Sequence, residues 1–281
     1  MTTVETTAPL GAAMFQGTTT PTPIRARPSG FARDVVTVAG RALRAIPRDL
    51  ESIIPPVFIA LFFYLVNVGT LQDLTETNIP GFDFKAFQMS TAILLGVTGV
   101  SRAYALVLDI QDGYIDRLLM TPIRRLAILL GHLVADVTMA SILTLPVLVL
   151  GAIMGVRFES GILGYPVFIL IAAAWSLAFA GFGYAIALKT GNPAAVQQSF
   201  LLFFPFLFLT SSYVPREQLS GWLDTIATVN PVTYLLEGMR SLAMRGWQWD
   251  ELGQAVLAVG GVGILSMWLC LAALRGRVRQ A

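Results

Sequence analysis

The ionisable residues of this 281-residue chain fall into two groups that suggest different chemistry. Three lie inside long apolar stretches: Arg102, His132 and Asp136. A charge at membrane depth is costly, so such residues carry a functional reading by default. Arg102 lies near the end of its stretch, where a long side chain can also reach the aqueous edge. His132 and Asp136 stand four apart on one helical face and can share a hydrogen bond. A structural contact to a neighbouring helix is the favoured reading, and a proton relay is the other. The second group, Asp112, Asp116, Arg117, Arg124 and Arg125, crowds into residues 109–125, DIQDGYIDRLLMTPIRR. Ile115, Leu118 and Leu119 recur there at i, i+3 and i+4, the pattern of an amphipathic helix of about two turns. Gly113 can open that helix, and Thr121-Pro122 can end it because proline disfavours helical geometry in the residue before it. Such a segment is either a solvated turn or a docking surface for a cytoplasmic partner.

The motifs of catalysis are missing from the sequence. Gly-Lys occurs nowhere, so there is no Gly-rich loop of the kind that cradles nucleotide phosphates. No zinc signature or nucleophile elbow is present, and the single cysteine, Cys270, lies in an apolar stretch. The expectation is a chain with no catalytic residues, no metal ligands and no cofactor of its own. A different kind of site is suggested by Phe200, Phe203, Phe204, Phe206 and Phe208 around Pro205. Phe200, Phe204 and Phe208 form an i, i+4, i+8 stripe that either packs against lipid or walls a path for an apolar substrate. Gly151 and Gly155 make a GxxxG that permits close helix contact, as does the Gly260-Gly261-Gly263 cluster, although the motif alone is weak.

The elements that must position these residues follow from hydropathy. Apolar side chains make up 55% of the chain and charged ones only 13%, against about 25% charged in soluble domains. Mean hydropathy is +0.70. Residues 1–30, rich in Thr, Pro, Ala and Gly, read as a disordered cytoplasmic tail rather than a signal peptide. From Phe31, one helical face carries Phe31, Val35, Val38, Ala42 and Ile46, while Arg33, Arg41, Arg44 and Arg48 fall largely on another. That predicts an interfacial helix whose guanidinium groups reach lipid phosphates. Six apolar runs follow, at 53–71, 86–108, 126–156, 162–188, 194–214 and 252–274. Each meets or nearly meets the roughly 20 residues a helix needs to cross a bilayer. Continuous rather than alternating hydrophobicity makes these helices and not barrel strands. Basic residues divide 13 to 5 in favour of the side holding both termini and the 109–125 loop, which predicts that side as cytoplasmic and leaves Lys85, Arg157, Arg216, Arg240 and Arg245 in external loops. The external segment 215–251 is unusual. Trp222, Leu223, Ile226 and Val229 share one helical face, Asn230-Pro231 breaks the helix, and Val232, Leu235, Leu236, Met239 and Leu242 make a second stripe. Both pieces are too short to span and read as interfacial or re-entrant helices.

Two motifs together resemble the ABC-2 family of exporter permeases, above all the bacterial drug-efflux branch related to daunorubicin-resistance permeases. The first is Asp112-Gly113, then Asp116-Arg117-Leu118-Leu119 and Thr121-Pro122-Ile123, similar to the family's loop between helices two and three. The second is FFPFLFLTSSYVPREQLSGWLDTIATVNPVTYLLEGMRSL, residues 203–242. The resemblance covers roughly 31–279. Ile110-Gln111-Asp112 stands where many relatives have an Arg-Glu pair. What the resemblance implies is an all-α integral membrane domain over 31–281. It has six transmembrane helices, an N-terminal interfacial helix, a cytoplasmic coupling helix and external re-entrant helices. It further implies a bacterial plasma-membrane transport subunit, not itself an enzyme, that carries a hydrophobic or amphiphilic small molecule outward. Its partners would be a cytoplasmic ABC ATPase that binds ATP and Mg, a second permease subunit (an identical copy or a paralogue) and membrane lipids, with no nucleic acid. Asp112, Gly113, Asp116, Arg117, Leu118, Thr121 and Pro122 would dock the ATPase. Phe200, Phe204 and Phe208 would line the substrate path, and Trp222, Asn230 and Pro231 would belong to the external gate. Two other classes stay open: a stand-alone ion-coupled transporter using Arg102, His132 and Asp136, disfavoured by the lack of an inverted repeat, and a membrane enzyme, which lacks a convergent acid/base set.

The charge asymmetry is directly testable. Cysteines introduced at Thr20 and Gln280 should be shielded from an impermeant external label, and those at Thr77 and Gln218 should react. Labelling of both termini from outside would refute the orientation.

Overall fold

The computed structural model describes residues 30–48, 50–98, 101–113 and 125–278. Most of the tail at 1–30 therefore lies outside the described residues, as do Asp116, Arg117, Leu118, Thr121 and Pro122. Every regular element among the described residues is helical. The helices are α1 (Phe31–Ala45), α2 (Leu50–Asn78), α3 (Phe84–Thr98), α4 (Ala103–Gln111), α5 (Arg125–Ile153), α6 (Gly164–Thr190), α7 (Pro193–Ser199), α8 (Phe203–Phe208), α9 (Trp222–Val229), α10 (Pro231–Met244) and α11 (Trp249–Val278).

Five helical stretches are long and apolar enough to cross a membrane: Ile53–Asn78, Phe84–Gln111, Leu126–Ile153, Gly164–Thr190 and Trp249–Gly276. They do so unequally. The most apolar window of the second is 75% buried, whereas those of the first and last are 17% buried. The second span is therefore the hub of the bundle. Phe84, Met89, Ile93 and Leu94 of α3 are at most 1% exposed. α2 and α11 instead turn Phe58, Phe62 and Leu65, and Val256, Leu257, Ile264 and Trp268, outward. Apolar faces of that size suit lipid or a partner subunit rather than water.

The fifth expected run is built differently from the others. Gly191, in the left-handed region at φ 59°, ends α6, and the Asn192 side chain caps α7 by accepting from Ala194 N–H, with Pro193 at the first helical position. The helical path through α7, a short 3-10 turn and α8 stops at Phe208, 16 residues from Pro193. At 1.5 Å per residue that reaches about 24 Å, short of the hydrocarbon core. The cause is local. Leu209 N–H still bonds Pro205 O, but beyond it the hydroxyls of Thr210 and Ser212 both bond Leu207 O in place of a further helical turn.

α1, expected at the interface, packs part of its apolar face on protein. Val38, Ala42 and Ile46 are buried, and Gly131 of α5 makes room for them: a Cβ there would meet Val38 Cγ1 at 2.5 Å. Gly96 lets α3 approach Ala60 of α2 and Gly181 lets α6 approach Ser266 of α11 in the same way. Ser266 Oγ also donates to Ala178 O across that seam at 2.5 Å. The GxxxG reading fares less evenly. Gly151 abuts Met89, but Gly155 is a turn residue at φ 92° with open space around it.

The two short helices expected in the 215–251 segment form as α9 and α10, with a break at Asn230-Pro231. The Asn230 side chain accepts from Val232 N–H at 3.0 Å and donates to Phe206 O and Leu209 O at 2.6 and 3.1 Å. One residue thus caps α10 and closes the frayed end of α8. Val232, Leu235, Leu236, Met239 and Leu242 are fully buried, while Trp222 and Val229 of α9 are 69% and 81% exposed. The α10 stripe includes Arg240, counted above among the external basic residues, yet it is 4% exposed. Its guanidinium donates to Ser211 O at 2.8 Å, Ser211 Oγ at 3.1 Å, Thr91 Oγ1 at 3.0 Å, Ser212 O at 3.5 Å and, through Nε, Phe87 O at 3.3 Å. It lies 3.5 Å over the Phe87 ring. A planar fork can satisfy so many acceptors at once where an ammonium cannot.

Arg240→Ala would strip donors from buried carbonyls of α3 and the 209–214 segment, so a loss of roughly 3–5 kcal/mol is expected. Arg240→Lys should recover part of it. Thermal unfolding in detergent, followed by intrinsic tryptophan fluorescence, should rank the midpoints wild type, Lys, Ala. An unchanged midpoint for Ala would show that the network contributes nothing to stability.

Candidate functional site

The second span is broken between α3 and α4. α3 ends at Thr98, whose hydroxyl donates back to Leu94 O at 2.6 Å and accepts from Trp175 Nε1 at 2.8 Å. α4 restarts at Ala103, with Arg102 as its cap residue. The first amides of a helix have no partner within it. Here they find two: Ser101 Oγ accepts from Ala103 N–H at 3.1 Å, and Asp136 Oδ1 accepts from Arg102 N–H at 2.6 Å. The other carboxylate oxygen of Asp136 accepts from Tyr184 OH at 2.6 Å. Asp136 is fully buried on α5, and its position at the start of α4 sets negative charge against the positive end of the helix dipole. On α6, Gly183 keeps the restart tight: a Cβ would meet Ala103 Cβ at 3.3 Å.

His132 and Asp136 share a face, as their spacing implies, but turn to different partners. His132 Nε2 lies 3.9 Å from Asp109 Oδ2. Asp109, on the last turns of α4, is gripped from the other side by Arg41 of α1, at 2.9 and 3.1 Å to its two oxygens. Below it Gln111 Nε2 donates to Gly191 O at 3.0 Å, tying the foot of α4 to the α6–α7 corner. Asp112 closes α4, and Gly113 follows at φ 67°, where its N–H donates to Ile110 O at 3.1 Å. Gly113 is thus the exit of α4 in the left-handed region, a place that favours glycine. Of the residues expected to form the coupling segment, only Asp112 and Gly113 are among those described.

A cavity of about 850 Å³ opens beside the break. Ile59 of α2, Leu95 of α3, Met139 of α5 and Phe179 of α6 give it an apolar wall, and Phe200 closes one side. Thr98, Ser101, Arg102 and Gln197 bring polar groups to it. Its size falls within the few hundred to about 1,000 Å³ of sites for drug-sized ligands, and the mix of apolar wall and few polar groups is theirs too. Of the three phenylalanines singled out by spacing, Phe200 borders the cavity. Phe204 meets Phe200 edge-on at 5.2 Å and stacks on Phe208 at 5.8 Å, continuing the stripe away from the cavity. Of the residues expected at the external gate, Trp222 is exposed, Asn230 is the buried cap described above, and Pro231 opens α10. Sequence reasoning missed Tyr184, Trp175 and Arg41–Asp109. Tyr184 and Trp175 are polar-tipped aromatics in an apolar run, a signal that their tips have partners.

Comparison with known proteins agrees with this architecture. Residues 33–244 match the family model described as ABC-2 type transporter. The chain is 28% identical over 208 residues to the daunorubicin resistance ABC transporter permease protein DrrB1 of Streptomyces coeruleorubidus, covering 72% of this chain and 70% of that one. It is 25% identical over 219 residues to the probable doxorubicin resistance ABC transporter permease protein DrrC of Mycobacterium tuberculosis, covering 77% and 79%. A putative transport permease, ycf38, of Cyanophora paradoxa is 26% identical over 171 residues. With three-quarters of its length matched and its long apolar helices packed around a broken second span, the chain belongs to the ABC-2 type transporter family, as a multi-pass permease subunit.

Proposed function

We propose that this chain is the membrane half of a bacterial exporter that moves a hydrophobic or amphiphilic compound outward, with ATP and Mg bound by a separate cytoplasmic ATPase. The observation that carries the reading is the route from cavity to cytoplasmic edge. α4 begins at the cavity wall, runs nine residues and ends at Asp112-Gly113, the first residues of the coupling segment. An ATPase docked on Asp112, Gly113, Asp116, Arg117, Leu118, Thr121 and Pro122 would act on a short rigid lever with its other end at the substrate. The names of the two resistance permeases support a drug-like cargo, and the exposed faces of α2 and α11 leave surface for a second permease and for lipid. Phe204 and Phe208 would extend the path from the cavity toward Trp222, Asn230 and Pro231 as the outer gate. An ion-coupled transporter is less well supported, because Asp136 and His132 already have structural work at α4.

Two outcomes are expected. The purified chain alone should neither bind nor hydrolyse ATP; Mg-dependent ATPase activity in a preparation free of other subunits would overturn the division of labour. Gly113→Pro forces φ to about −65° at a residue that sits at 67° and deletes its N–H bond to Ile110 O, so the exit of α4 must unwind. Asp116→Arg reverses a charge that complements the start of the coupling helix by about 0.3–1 kcal/mol. Both variants should insert normally, lose export, and weaken ATPase co-purification or its stimulation by substrate. Export persisting at normal expression in either would reduce the 109–122 segment to a plain loop.

A further inference from the structure

The foot of α4 carries a carboxylate that its own helix does not favour. Asp109 stands four residues before Gly113, where the chain leaves α4 at φ 67°. A negative charge on the last turns of a helix faces the negative end of the helix dipole. Its partners come from two other helices. Arg41 of α1 donates to both of its oxygens, at 2.9 and 3.1 Å, and Nε2 of His132 on α5 lies 3.9 Å away. A forked contact of this kind fixes direction as well as distance. The three helices converge because α1 is seated beside that histidine. Val38, one turn before Arg41, packs on Gly131, where a Cβ would meet Val38 Cγ1 at 2.5 Å. Leu106, Val107 and Ile110 of α4 are buried on their own account. Apolar packing thus holds α4 in the bundle, and Asp109 adds a directional link to α1. A residue that goes against its local setting and is compensated from a distance is expected at functional rather than purely structural positions.

We propose that Asp109 is a positioning residue of the coupling segment: through Arg41 it makes α1 and the foot of α4 one body, so a displacement of residues 112–122 moves α1 along with the cavity wall. This rests on reading 109–122 as the ATPase contact, and it adds a second element to what the ATPase moves. The link depends on the charge of residue 109, since an amide of the same shape cannot form the ion pair.

Two spin labels report the link, at Val36→Cys on the exposed side of α1 and Leu108→Cys on α4, in the full-length chain with the buried Cys270 replaced by alanine. In phosphatidylcholine nanodiscs, double electron–electron resonance should give one narrow distance distribution for this parent and for Asp109→Glu. Asp109→Asn should broaden it, raising the fraction outside the main peak about two- to fivefold, the margin of a part-exposed ion pair. Arg41→Gln breaks the same pair from α1 and should broaden it too, which keeps the comparison available if Asp109→Asn fails to fold. Exchanging the pair, Arg41→Asp with Asp109→Arg, should narrow the distribution again. In the complex with the ATPase, trapping nucleotide with vanadate should leave the distance unchanged in the parent and in Asp109→Glu, and shift it in Asp109→Asn. A side chain that only packs would not produce that split. The proposal is overturned by a parent-like distribution in Asp109→Asn or Arg41→Gln, by a folded double exchange as broad as the single variants, or by parent and Asp109→Asn responding alike to trapping. A chain that forms no ATPase complex counts against the transport reading alone, and the nanodisc measurement still decides the link.

Discussion

The structure depends on how one buried carboxylate is satisfied. A helix interrupted within a membrane protein exposes amides that neither lipid nor water will pair, and such a break persists only where protein closes it. Asp136 does this at the second span, accepting the Arg102 N–H while Tyr184 holds its second oxygen. The carboxylate in turn needs those donors, since an unpaired buried charge would be costlier than the break itself. Each side makes the other tenable. The cavity, the nine-residue α4 and the approach of α4 to α6 at Gly183 all follow from a break placed there.

The region around Asn230 and Arg240 solves the same problem with different groups. Asn230 serves the start of α10 and the end of α8 at once, and Arg240 gathers carbonyls and hydroxyls from α3 and the 209–214 segment. Hydroxyls from Thr210 and Ser212 turn inward on Leu207 O. Polar side chains thus stand in for the missing helix over a stretch where the backbone is irregular. α10, buried on its apolar stripe, becomes part of the core rather than a loop on its surface.

Much of this was legible in the sequence. The apolar runs map onto long helices because hydropathy over about 20 residues reports burial in lipid or protein alike. The Asn230-Pro231 break was readable because asparagine caps and proline at the first helical position leave a local signature. What could not be read was partnership. His132 and Asp136 lie four apart in a helix, and spacing suggested that they meet; Asp136 instead bonds Tyr184 of another helix, and His132 lies 3.9 Å from Asp109 of α4. Arg240 looked like a loop cation, since nothing local shows that three distant carbonyls await it. The run at 194–214 has the length and apolarity of a span, but the helix stops early, where the hydroxyls of Thr210 and Ser212 turn back on Leu207 O. Composition averages over such terminators.

The hydrogen bond from Gln111 to Gly191 O joins the foot of α4 to the corner from which α7 rises. Both helices border the cavity, α4 through Tyr104, Ala105 and Leu108 and α7 through Val196, Gln197 and Ser199. One bond between a side chain and a carbonyl thus ties together the ends of two short helices that line the same recess, so neither end can shift without straining the other.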